Sequence, residues 1–124
     1  MSLVRKLLGR EGEDLAERYL IKQGYRILDR NYRTRSGEID LIALHQGNVV
    51  FVEVKTRTND SYGAPELAVN PAKRRKMTRT ALGYITAKKL YQVPCRFDVV
   101  AISAGGEEKV ELIQNAFEMD RTHL

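Results

Sequence analysis

Cysteine is all but missing from this sequence, Cys95 being the only one. That excludes an intramolecular disulfide and any cysteine-rich zinc site. Cys95 precedes an apolar run in VPCRFDVV, where a buried structural thiol is expected. Histidine is nearly as scarce. His45 and His123 stand far apart, which leaves a zinc centre or a Ser-His-Asp triad without its parts. His45 is expected as a polar strand-end residue and His123 in a frayed terminus. No apolar run approaches the roughly 20 residues that span a bilayer. The opening MSLVRKLLGREGEDLAERYL turns acidic too soon for a secretory leader. No membrane partner is therefore expected, and the cytoplasm is the default location. Walker A loops, dinucleotide fingerprints and zinc-finger spacings are absent, and Gly105-Gly106 suits a hairpin turn. Repeats, low-complexity tracts and Pro/Ser-rich linkers are absent as well, so residues 1–124 are read as one domain.

Basic residues are in excess, with 21 Lys and Arg against 16 Asp and Glu, a formal charge of +5. Such a balance favours a polyanionic partner, and nucleic acid is the expected one. Leu8, Gly12, Leu15, Ala16, Tyr19 and Leu20 recur at helical spacing, with Gly24 placed to end the helix in a left-handed conformation. YRILDRNY (25–32) suits a first strand, and residues 58–65, TNDSYGAP, form a turn-rich loop. Pro71 suits the first turn of a second helix, whose apolar face comprises Met77, Ala81, Tyr84, Ile85 and Leu90. FDVVAIS and KVELI complete the set as two more strands. Helix, three strands, helix and two strands predict an α/β fold with a mixed central sheet flanked by helices, because strands this apolar need both faces covered.

The stretch GEIDLIALHQGNVVFVEVKTR (37–57) reads as a hairpin, yet it carries Glu38, Asp40, Glu53 and Lys55 among sheet-like residues. Charges inside strands are costly unless paired, solvated or bound to metal. A two-residue loop at Gly47-Asn48 pairs Gln46 with Val49, Asp40 with Lys55 and Ile42 with Glu53. Asp40, Glu53 and Lys55 then share a face, with the two carboxylates on a diagonal of roughly 7–8 Å. Converging carboxylates repel, and a divalent cation removes that cost. Oxygen donors without Cys or clustered His select Mg²⁺ or Mn²⁺ over zinc. Lys55 beside them suits a role in orienting water or offsetting charge on a phosphate. The same spacing also fits a cross-strand Asp40–Lys55 ion pair with Glu53 at a solvated sheet end, and spacing alone does not choose.

D-x12-E-x-K, here Asp40 with Glu53-Val54-Lys55, resembles the PD-(D/E)XK nuclease signature. The longer series GREGEDLAERYLIKQGYRIL, NYRTRSGEIDLIA, VVFVEVKTR, RFDVV and NAF resembles the YraN family of bacterial, endonuclease-like proteins. It is also similar to archaeal Holliday-junction resolvases. The likeness runs from about Gly9 to Phe117. It implies a restriction-endonuclease-like αβββαβ core. It further implies Asp40, Glu53 and the carbonyl of Val54 as metal ligands, Lys55 as the catalytic lysine, and Glu13 as a glutamate approaching the metal. Helical spacing allows Glu13 to point inward or into solvent. Ile39 stands where the signature has proline. Glu38 suits an exposed strand start.

The expected activity is Mg²⁺- or Mn²⁺-dependent phosphodiester hydrolysis, as a structure-selective, Holliday-junction-resolvase-like DNA endonuclease in repair or recombination. DNA is preferred to RNA, and a homodimer suits the two cuts a symmetric junction needs. Arg35 and Arg57 flank the site and are expected to hold phosphates, an ordinary strand-end charge being the alternative for either. Lys73, Arg74 and Lys76 at the start of the second helix are expected to follow the phosphate backbone, with Lys73 the match to the family. The alternative is a non-catalytic nucleic-acid-binding module or adaptor that keeps the nuclease fold.

Overall fold

A computed structural model describes residues 10–57, 69–103 and 109–120. Leu8, the 58–65 loop, the Gly105-Gly106 turn and His123 lie outside them. Among the described residues, two helices and five strands run in the order α1 (Arg10–Lys22), β1 (Arg26–Thr34), β2 (Gly37–His45), β3 (Asn48–Arg57), α2 (Pro71–Lys88), β4 (Cys95–Ser103) and β5 (Lys109–Phe117). They form one sheet in sequence order, β1-β2-β3-β4-β5. Only β3 and β4 run parallel, and α2 makes the crossover between them. The sheet is mixed and the fold is α/β, as the pattern of elements predicts. No helix among the described residues is long and apolar enough to cross a membrane.

Helix α1 ends where Gly24 takes φ +91°, with the N–H of Tyr25 returning to the carbonyl of Leu20 at 3.0 Å. Ala16 and Leu20 of α1 pack on one sheet face against Leu41, Ala43, Val50, Val52, Val100 and Ile102. Helix α2 begins with Asn70 as cap, its Oδ1 accepting from the Lys73 N–H at 2.9 Å, and Pro71 in the first turn. Met77, Ala81 and Tyr84 of α2 cover the other face, over Val49, Phe51, Phe97, Val99 and Phe117. Tyr84 meets Tyr32 and Phe51 edge-on, at 5.1 and 5.9 Å between ring centroids. Each fully buried side chain of this size contributes about 1.5–3 kcal/mol. Both faces being covered, Val49 to Glu53 are buried without interruption. Cys95 is partly buried at the edge of the α2-side core.

The β2–β3 hairpin differs from the predicted register. His45 pairs with Asn48 and Leu41 with Val52, so the turn is Gln46-Gly47 rather than Gly47-Asn48. Both turn residues have positive φ, +49° at Gln46 and +82° at Gly47, the geometry that matches the twist of the flanking strands. The Asn48 amide closes the turn from outside by donating to the carbonyls of His45 and Gln46, at 3.4 and 3.3 Å. Each strand is displaced by one residue. The combined slide is even, so side chains keep their faces. Their partners change, and Glu53 rather than Lys55 is brought level with Asp40.

Strands β1 and β2 also turn over together. Residues two apart on a regular strand share a face. Yet Ile39 joins the α2-side core while Leu41 joins the α1 side. Opposite this point, Asn31 adopts φ +49°, and the pairs on either side of it are Arg30–Leu41 and Tyr32–Ile39. Asp40 is the residue at which β2 changes sides.

Candidate active site between strands two and three

Pairing of β2 with β3 extends only to Leu41–Val52. One residue further on, the Asp40 carboxylate takes over from the ladder, its Oδ2 accepting the Val54 N–H at 2.8 Å. The N–H and C=O of a strand residue point to the same edge, so the carbonyl of Val54 faces the same gap. The Asp40 carboxylate lies beside that of Glu53 on one side and that of Glu13 of α1 on the other, close enough to raise both. Of the two orientations open to Glu13, the structure shows the inward one. A pocket of about 240 Å³ opens beside it, lined by Glu13, Asp14, Glu17, Arg30, Asn31 and Leu41.

Glu53 is buried and lies on the α2 side of β3, where Lys73 Nζ approaches its Oε2 to 2.8 Å. Burial, reinforced by the hydrogen bond and charge of Asp40, pushes the Glu53 carboxyl up to about 8 despite the pull of Lys73. The short Lys73 contact and the raised carboxyl favour opposite protonation states. Desolvation decides it, because one half-exposed ammonium does not replace the water Glu53 has lost. Burial also pulls the Lys73 ammonium down, but Glu53 and Asp40 more than offset that and raise it. Glu13 is raised too, by its own burial first and then by Asp40 and Glu38, with Arg33 acting the other way.

The remaining candidates spread around this core. Lys55 is half-buried two residues beyond Glu53, close enough to Lys73 for the two to interact. The cation on the buried carboxylate is thus Lys73, from the run expected to follow phosphates. Arg74 turns inward, its Nε donating to the Val69 carbonyl at 2.8 Å and its guanidinium lying 5.2 Å from the Phe117 ring centre. Lys76 and Arg35 are exposed. Lys76 packs beside Gly37, where a Cβ would lie 3.6 Å from that of Lys76. Arg57 ends β3, half-buried. Glu38 is exposed and pairs with Arg33 at 3.1 Å, as an exposed strand start should.

Sequence inspection missed a second polar cluster. Asp98 is fully buried, accepting from the Tyr25 hydroxyl at 2.7 Å, Arg96 Nε at 3.0 Å and the Asn115 N–H at 2.9 Å. His45 is buried as well, stacked on Tyr25 at 4.0 Å with Nδ1 2.7 Å from an Arg96 nitrogen. Gln114 donates to the Tyr25 hydroxyl at 2.9 Å. Every charged atom of Asp98 is thereby answered from within the chain, which makes the cluster a clasp joining the ends of β1, β2, β4 and β5. Its one visible signal was an aspartate inside the apolar run FDVVAIS.

Among the described residues, no three His, Cys, Asp or Glu side chains form a ready metal cage. Two carboxylates in contact, with one carbonyl beside them, are what the gap offers.

The family model described as uncharacterised protein family UPF0102 matches residues 12–102. A UPF0102 protein of Geobacter sulfurreducens is 48% identical over 116 residues, covering 92% of this chain and 91% of its own. One from Syntrophus aciditrophicus is 49% identical over 112 residues, with 90% and 88% covered. One from Thermodesulfovibrio yellowstonii is 48% identical over 115 residues, with 93% and 99% covered.

Proposed function

The chain belongs to the uncharacterised protein family UPF0102, the YraN-like family that the motif order resembles, and we propose that it is a metal-dependent phosphodiester hydrolase acting on nucleic acid. The observation that carries this is the contact between the carboxylates of Asp40 and Glu53 where β2 and β3 part, with Glu53 held far above its ordinary acidity. Carboxylates pressed together in a buried place are what a divalent cation relieves. Mg²⁺ commonly takes one or two carboxylates and leaves the rest of its shell to water and phosphate, which fits a gap without a full cage. Mn²⁺ suits the same oxygens.

In this proposal Asp40 and Glu53 hold the cation, with the Val54 carbonyl as a further donor and Glu13 steadying Asp40. When bound, the cation would polarise the scissile phosphate and make its water more acidic. Lys55 would orient the attacking water or offset charge building on the phosphate. Arg35 and Lys76 would line the approach and contact backbone phosphates, positioning the strand without reading bases. The finer proposal is a structure-selective DNA endonuclease of repair or recombination, with two copies making the paired cuts of a symmetric junction.

The test is a cleavage panel of junction, flap, single-stranded and duplex DNA, with Mg²⁺ or Mn²⁺, for the wild type, Asp40→Asn and Lys55→Ala. Metal-dependent products absent from both variants are expected. Activity surviving Lys55→Ala would place the chemistry elsewhere. One observation favours a non-catalytic binding module instead, namely the Lys73 ammonium already lying on Glu53. For such a module, Mn²⁺ would not raise the melting temperature, and Asp40→Asn would change nothing.

A further inference from the structure

Lys73 sits in the first turn of α2, fixed there by the Asn70 cap that accepts its backbone N–H at 2.9 Å. Its side chain follows the apolar stripe of the helix, one turn before Met77, and so points at the sheet. Nζ ends 2.8 Å from Glu53 Oε2, near Lys55 and within the field of Asp40. The Lys73 side chain remains 37% exposed, whereas that of Glu53 is only 7% exposed. The ammonium therefore covers the buried carboxylate from the solvent side. A divalent cation arriving on the same carboxylate repels the ammonium and loosens its hold on Glu53.

We propose that Lys73 is an exchangeable internal donor to the Glu53 carboxyl. It covers Glu53 while the site is empty, gives up the carboxylate when a divalent cation arrives, and then binds a phosphate of the incoming nucleic acid. This rests on the hydrolase reading and adds its regulation, because one side chain couples metal loading to substrate capture. Its neighbours cannot take the part. Arg74 is tied to Val69 and Phe117, and Arg75 leans toward Asp120 at 3.8 Å. Such coupling is reciprocal, so nucleic acid should also tighten the hold on the metal.

The test is Lys73→Gln, with fluorescence anisotropy of a labelled junction DNA measured in EDTA and in Ca²⁺. In EDTA the variant should match the wild type within about twofold, since Lys73 is then engaged with Glu53. In Ca²⁺ it should bind roughly tenfold more weakly, the worth of one charge-assisted contact. Its salt slope should also fall by about one unit there. An ordinary surface cation would weaken binding equally in both conditions, and that result overturns the exchange. If the wild type shows no cation-dependent rise in melting temperature, the hydrolase reading falls as well. If that rise is present but the Lys73→Gln loss is uniform, only the exchange fails. A second readout, independent of the variant's fold, is the side-chain NMR signal of Lys73 in the wild type. It should move on adding Ca²⁺ and stay fixed in Asp40→Asn; a signal indifferent to Ca²⁺ in the wild type refutes the exchange.

Discussion

Replacing Glu53 by glutamine should make the metal-free protein more stable. The Glu53 carboxyl titrates near 8 in the folded chain against an ordinary 4.5. Its folded value is raised, so its contribution to stability is complete below about pH 4.5 and is lost as pH climbs through about 8. At pH 7 the unfolded chain has released a proton that the folded chain still holds. That gap of about 2.5 pH units above 4.5, at 1.36 kcal/mol per unit, amounts to roughly 3 kcal/mol in favour of unfolding. Glutamine is neutral in both states and escapes the loss, while Lys73 still faces Asp40. Urea unfolding in EDTA at pH 5, 7 and 8.5 is the assay. The wild type should lose stability along this series, and the variant should gain on it by about 3 kcal/mol at pH 7, with a smaller gain at pH 5. A variant no more stable than the wild type at pH 8.5 would refute the account, since Glu53 would then be comfortable as an anion.

Three further outcomes follow from the same coordinates. Mn²⁺ affinity, measured by calorimetry, should rise about tenfold per pH unit between pH 6 and 8 and then level off, with about one proton released per ion at the low end. A flat profile would mean that no raised carboxyl is displaced. Asp98→Ala should cost about 3–5 kcal/mol in chemical denaturation, because the partly buried Arg96 guanidinium loses its carboxylate. A cost under about 1 kcal/mol would show the clasp to be dispensable. Asn70→Ala should cost about 1 kcal/mol through the freed N–H of Lys73, and Asn70→Ser should restore most of it.

The elements were legible because each has a local cause. Gly24 stops α1, Pro71 opens α2, and Met77, Ala81 and Tyr84 recur at helical spacing. The hairpin register was not, because Gln46-Gly47 and Gly47-Asn48 are both short loops containing glycine. The choice fell to a glutamine held at positive φ and to the Asn48 side chain, which no propensity captures. That an inward-facing cation would come from this helix was within reach, since Lys73 and Arg74 stand four and three residues before Met77; which of them reaches Glu53 was not. The clasp was out of reach. Tyr25 and Arg96 meet across 71 positions, and nothing periodic announces such a meeting. Asp40 and Glu53 were found as a pair through their alternation on facing strands, although their partners were misassigned by one step on each strand.

The reversal of β2 at Asp40 has an effect on how damage spreads. The sheet separates the two apolar compartments, so a cavity cut beneath α1 and another cut beneath α2 should add as independent losses in overall stability. The Asp40 carboxylate is where that partition is breached, with Glu13 arriving from one compartment and Glu53 from the other. Two such cavities that leave the chain folded would therefore disturb one shared group, and their joint effect there should exceed the sum of the two alone.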